Sequence, residues 1–179
     1  MDISATLQRV VRAASFDTKF FQELRTNTGL NQEALYIVIV VAVLSALGGL
    51  GGGIIGLLMA GLMAIAGYYI WAYVTLWVGK QFYGVTADIG AVQRAIGFAY
   101  APRVLSFFAW IPCIGWLVAF VGSLWSLALG VFAIREIMGL DTTKAIVVTI
   151  VGWLIVFLVT VVLGAIFGIG ALGAGMLGA

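Results

Sequence analysis

The chain has 179 residues, 64% of them hydrophobic and 9% charged, with a mean hydropathy of +1.19. A soluble domain is about half apolar and about a quarter charged, so so few charges cannot clothe a water-facing surface. The composition excludes a soluble globule, a disordered chain and a disulfide-stapled secreted domain, and leaves an all-α, polytopic membrane protein. Histidine is absent, which removes His-based catalysis and His metal sites. The lone Cys113 permits neither an intrachain disulfide nor a thiolate cluster. A net charge of +2 is too small to imply nucleic acid, and no cofactor is implied.

Residues 1–33 hold Asp2, Arg9, Arg12, Asp17, Lys19, Glu23, Arg25 and Glu33. They read as a cytoplasmic or interfacial amphipathic segment, not a secretory signal, because the apolar run begins only at Ala34. Ile3, Leu7, Val10, Val11 and Ala14 share one helical face. Phe16, Phe20, Phe21 and Leu24 form a second stripe, and Thr26-Asn27-Thr28-Gly29 ends it. Phe16, Phe20 and Phe21 are the candidate interfacial residues, with basic neighbours turned toward anionic lipid. The alternative packs this stripe on the protein's own cytoplasmic side.

Residues 34–169 form the transmembrane region. A spanning helix needs about 20 apolar residues. The tract 34–79 therefore fits two spans, about 34–50 and 54–78, with Gly48-Gly49-Leu50-Gly51-Gly52-Gly53 as the turn. The tract 95–134 also fits two, about 95–110 and 115–134, divided by Ile111-Pro112-Cys113-Ile114-Gly115. A fifth span runs from about Ala145 to Gly168, and 170–179 is a small glycine-rich tail. Gly51 to Gly56 has the spacing of a dinucleotide fingerprint but lacks the strand and distal acid that give that motif meaning. Gly48/Gly52, Gly49/Gly53, Gly52/Gly56 and Gly164/Gly168 permit close helix approach, within one bundle or between copies. Tyr68, Tyr69, Trp71, Tyr73 and Trp77 crowd span two. They pack in the bundle, face lipid or line a cavity; Trp77 beside Lys80 suits an interfacial belt. Trp110, Trp116 and Trp125 have the same options.

With five spans, the N-terminus, the connection around Lys80–Arg94 and the connection Arg135–Lys144 share one side. The positive-inside rule makes that side cytoplasmic, so the expected topology is N-in, C-out in the cell membrane. Arg103 is the one charge inside a span, about 12 Å beyond Ala95 at 1.5 Å per residue. A charge at that depth is costly unless it snorkels or is paired. Either Arg103, with Tyr100 and Pro102, holds an anion, a lipid phosphate or a partner's carboxylate, or span three is half-inserted and Arg103 reaches the headgroups. Pro102 also frees the Phe98 carbonyl, which Arg103 would satisfy.

No carboxylate pair or nucleophile–base set stands at a meaningful spacing. The pattern points to a non-enzymatic role: organising or scaffolding membrane proteins or lipids. The alternatives are a small oligomeric transporter or channel using Arg103 and the span-two aromatics, or an accessory subunit of a larger complex. Membrane lipids, other membrane proteins and self-association are the expected partners.

Lys80-Gln81-Phe82-Tyr83-Gly84-Val85-Thr86-Ala87-Asp88, then Ala95-Ile96-Gly97-Phe98-Ala99-Tyr100-Ala101-Pro102, then the Ile111–Gly115 turn, then Ala133-Ile134-Arg135-Glu136-Ile137-Met138-Gly139-Leu140-Asp141-Thr142-Thr143-Lys144-Ala145 follow in order. Together they resemble the Yip family, named for Ypt/Rab-interacting integral membrane proteins, over about 16–169. The resemblance implies a five-helix bundle with a cytoplasmic N-terminus. Eukaryotic members serve vesicle trafficking and bind small GTPases. The chain lacks their long N-terminal region and acidic Asp-Leu-Tyr-Gly-Pro type motif. It is similar to a compact prokaryotic-type member, for which a small-GTPase partner is not expected.

Overall fold

A computed structural model describes residues 3–48 and 53–177, and over these residues the chain is helical without strands. Two short amphipathic helices come first, α1 (Ile3–Ala14) and α2 (Thr18–Thr26). Between them Phe16 adopts φ 58°, a left-handed conformation that a bulky residue holds only when its surroundings demand it. Its ring is pinned edge-on to Phe132, centroids 5.5 Å apart. Asp17 then caps α2, accepting from the backbone N–H groups of Lys19 and Phe20. A 3-10 turn, Thr28–Leu30, is capped by Asn27. Across it the chain bends by 99° into α3 (Asn31–Gly48).

The expected turn at Gly48–Gly53 falls on 49–52, outside the described residues. α4 (Gly53–Tyr83) follows, and Asp88 caps α5 (Ile89–Ala99) through the N–H groups of Gly90 and Ala91. α6 (Gly115–Met138) ends at Gly139, whose φ of 64° is the left-handed stop that glycine adopts freely. α7 (Thr142–Leu177) continues as helix through 170–177, the stretch expected as a tail.

The third span departs from expectation. Residues 95–110 are not one α-helix: α5 stops at Ala99, and Ala101–Trp110 is a 3-10 helix. Pro102 explains where α5 ends. It lacks an N–H and its ring clashes with the carbonyl four residues back, so α geometry cannot pass through it. By length and apolarity, Gly61–Tyr83, Gly115–Met138 and Thr142–Val159 are each able to cross a bilayer, and α3 joined to α2 across the bend makes a fourth. The segment 95–110 does not join them.

α5 packs against α3, α4 and α6, α7 against α4 and α6, and the 3-10 helix lies along α6 and α3. Three glycines set these distances. A Cβ at Gly97 would stand 2.8 Å from that of Ala34, one at Gly122 would stand 2.7 Å from the Pro102 carbonyl, and one at Gly152 would stand 2.6 Å from Thr75 Oγ1. Of the glycine pairs singled out by spacing, those at 48–56 involve 49–52, and the surroundings of Gly164 and Gly168 also lie outside the described residues. The α4 aromatics divide by helical face: Tyr68 and Trp71 are buried, whereas Tyr69, Tyr73 and Trp77 point outward, as do Trp116 and Trp125. The surroundings of Trp110 are outside the described residues.

Candidate functional site

Two constructions stand out. The first is the joint between the N-terminal helices and the bundle. Phe20, Phe21 and Leu24 are wholly buried against protein. Phe20 meets Phe98 edge-on at 5.0 Å and Phe21 meets Phe132 at 5.5 Å. Of the expected interfacial residues only Phe16 keeps an exposed edge; the outward apolar positions of α1 are Leu7 and Val11. Arg9 pairs with Glu33 at the start of α3, Gln22 Nε2 donates to Glu136 at 3.2 Å, and Trp125 Nε1 donates to the Ala14 carbonyl at 3.3 Å.

The centre of that joint is Arg94, a residue sequence reasoning counted only as a loop charge. It is 1% exposed. Its Nε donates to the Leu24 carbonyl at 2.6 Å, one terminal nitrogen to Asn31 Oδ1 at 2.6 Å and the other to the Arg25 carbonyl at 3.2 Å. These carbonyls end α2, where unpaired acceptors and the negative end of the helix dipole favour a cation. A buried arginine is rare without partners, and here three neutral acceptors supply them.

The second construction is a cavity of about 270 Å³, open on one side, between α4, α6, α7 and the α5 to 3-10 junction, and lined among others by Trp71, Tyr100, Arg103, Ser126, Trp153 and Phe157. Arg103 and Tyr100, paired in the sequence reading, do meet: the guanidinium lies 4.9 Å over the Tyr100 ring. Among the described residues no carboxylate pairs with Arg103. Pro102 does not line the cavity; it is buried, with its carbonyl close to Gly122. The Phe98 carbonyl is not among the hydrogen-bond partners of the Arg103 side chain.

The proline's missing donor is replaced from α6 instead. In a 3-10 helix residue 102 would donate to the carbonyl of residue 99. Ser126 Oγ donates to the Ala99 carbonyl at 2.6 Å, filling that place. Nearby, the buried Trp71 Nε1, Thr75 Oγ1 and Thr149 Oγ1 have no hydrogen-bond partner among the described residues. Trp71 Nε1 and Thr75 Oγ1 both flank Gly152. Hydrophobic periodicity places such polar groups inside a helix but cannot show that they converge.

The cavity has a definite level. Trp71 lies nine residues before Lys80 on α4, Ser126 nine before Arg135 on α6, and Trp153 nine after Lys144 on α7. At 1.5 Å per residue each is about 14 Å along its helix from the charged end.

Long apolar helices, lipid-type aromatic faces and charges gathered at helix ends define a multi-pass integral membrane protein. A family model, the Yip1 domain, matches residues 15–173, and the chain belongs to that family. No curated protein and no solved structure matches it. The stretches that carry the resemblance are structural joints: Asp88 caps α5, Tyr100–Pro102 marks the change to 3-10, and Gly139 closes α6.

Proposed function

We propose that the protein is a non-enzymatic, five-pass member of its family that organises lipids or other membrane proteins through lateral contacts. Its N-terminus is cytoplasmic and its C-terminus is not. One observation carries the reading. α6 and α7 expose long apolar faces, including Trp116, Phe120 and Leu124 on one and Trp153, Leu158 and Val161 on the other. Faces of that kind suit acyl chains or neighbouring helices, whereas a monomer in water would bury them.

Support for the fifth crossing is geometric. Laid end to end, residues 95–99 of α5 and the 3-10 helix cover roughly 28 Å at their rises of 1.5 and 2.0 Å per residue. A hydrocarbon core is about 30 Å thick. α1 and α2 then lie along the cytoplasmic interface, with Leu7 and Val11 toward the acyl boundary. A second reading, a small transporter of anions, is supported by Arg103 standing at the wall of the cavity.

Native mass spectrometry from mild detergent tests the organising role. Retained lipids, a second copy or a co-purified membrane protein is expected. A bare monomer released without lipid at the mildest activation would contradict it.

A further inference from the structure

We infer that the cavity beside Arg103 is a binding site for one amphiphile bearing a phosphate or carboxylate. The inference rests on the membrane placement proposed above and adds the chemistry of the ligand.

Arg103 presents a planar guanidinium at the wall of the cavity. Tyr100 supports it from one side, and no described carboxylate neutralises it. At about 14 Å from the charged ends of three helices, the site lies near the middle of a hydrocarbon core about 30 Å thick. A cation there needs a counter-ion, and the chain has no acid between Asp88 and Glu136 to provide one. The five N–H donors of arginine match an oxyanion in a two-pronged grip.

The rest of the lining selects an amphiphile over a bare ion. Trp153, Phe157 and Val156 offer α7's apolar side chains to the same space, with Trp153 and Phe157 stacked at 5.6 Å. A volume of about 270 Å³ holds a small headgroup and the first part of a chain, not a whole lipid. The apolar remainder of the ligand would therefore lie along the exposed Trp153, Leu154 and Phe157 surface of α7. Ser126 Oγ already donates to Ala99, so the recognition of charge falls on Arg103.

The test is native mass spectrometry of the full chain in detergent with three probes: dioleoyl phosphatidic acid, dioleoyl phosphatidylcholine and glycerol 3-phosphate. Wild type should retain phosphatidic acid at least fivefold over phosphatidylcholine. Arg103→Gln should abolish that preference, and Arg103→Lys, which keeps the charge but not the planar grip, should weaken it. Leu127 also lines the cavity, and Leu127→Trp, which fills it and leaves Arg103 in place, should also lower retention. Melting temperatures of the variants separate loss of binding from loss of fold, and Leu127→Trp serves if Arg103→Gln does not fold. Tight binding of glycerol 3-phosphate would overturn the assignment to an amphiphile and give the site to a water-soluble organic phosphate; its absence with phosphatidic acid retained assigns the site to a lipid headgroup. Lipid retained without charge preference, or a preference unchanged in Arg103→Gln, would overturn the site while leaving the organising role intact. No retained lipid or partner of any kind would overturn both the site and that role.

Discussion

Arg94 Nε stands 2.6 Å from the Leu24 carbonyl oxygen, so a side chain of α5 closes the last turn of α2, seventy residues earlier. The N-terminal helices are thereby fastened to the bundle by a buried polar lock as well as by aromatic packing. Arg94→Met keeps much of the volume and removes the donors, leaving the Leu24 and Arg25 carbonyls without them. A buried acceptor left unpaired costs about 1–3 kcal/mol. The expected result is a lower melting temperature and cleavage of residues 3–30 by added protease with the bundle intact. Melting and limited proteolysis measure both.

Ser126 supplies the hydrogen bond that Pro102 cannot. Ser126→Ala should destabilise by about 1–3 kcal/mol, the cost of a buried carbonyl without a donor. Adding Pro102→Ala restores an N–H and should recover part of that loss. A thermal denaturation cycle over the two positions reads this coupling; strictly additive effects would contradict it.

Gly97 and Gly152 are sites of close approach, whereas a Cβ at Gly61 meets nothing within 4 Å. Gly97→Ala drives a methyl group into the backbone of Ala34 and should cost about 1–3 kcal/mol through overpacking. Gly61→Ala should be neutral or slightly stabilising, since alanine is the better helix former. Comparing the two melting temperatures separates tight packing from helix propensity.

Asp17 links pH to the α1–α2 junction. The Arg12 guanidinium, bonded at 2.7 Å, holds its carboxyl below the ordinary value of 3.8. A depressed folded value means that the carboxylate stabilises the fold above the unfolded value, and that this contribution fades as pH falls through the folded one. Protease cleavage between α1 and α2 should therefore rise on acidification below about pH 4. Asp17→Asn should show the raised cleavage already at neutral pH, without further change on acidification from this group.

Much of this fold is legible in the sequence, because the bilayer imposes a simple rule on composition. The apolar tracts gave helices at nearly every expected place, and Asp17, Asp88 and Gly139 are local signals that mark helix ends. Pro102 was visible too, but its effect was not. The proline ends α5, but the donor that replaces its missing N–H comes from Ser126 on α6, and nothing local marks the residues after it as 3-10. Arg94 was unreadable for the same reason: its partners lie sixty or more residues away. The amphipathic stripe at Phe20 and Phe21 announced a buried face without saying whether lipid or protein would bury it. Phe98 and Phe132 meet it. Arg103 and Tyr100 were close enough in sequence to be paired, whereas Trp71, Ser126 and Trp153 join them only through packing.

The central claim is that the chain crosses the membrane five times, with the broken 95–110 segment as the third crossing. Thiol labelling with a membrane-impermeant reagent tests it most directly. The native Cys113 serves as one site, and Ser4→Cys, Thr143→Cys and Gly178→Cys in a Cys113→Ser background supply the others. Cys113 and position 178 should label from outside intact cells, and positions 4 and 143 only after the cytoplasmic face is opened. Labelling of positions 4 and 178 from the same side, or of Cys113 from the cytoplasmic side, would contradict the five-pass account.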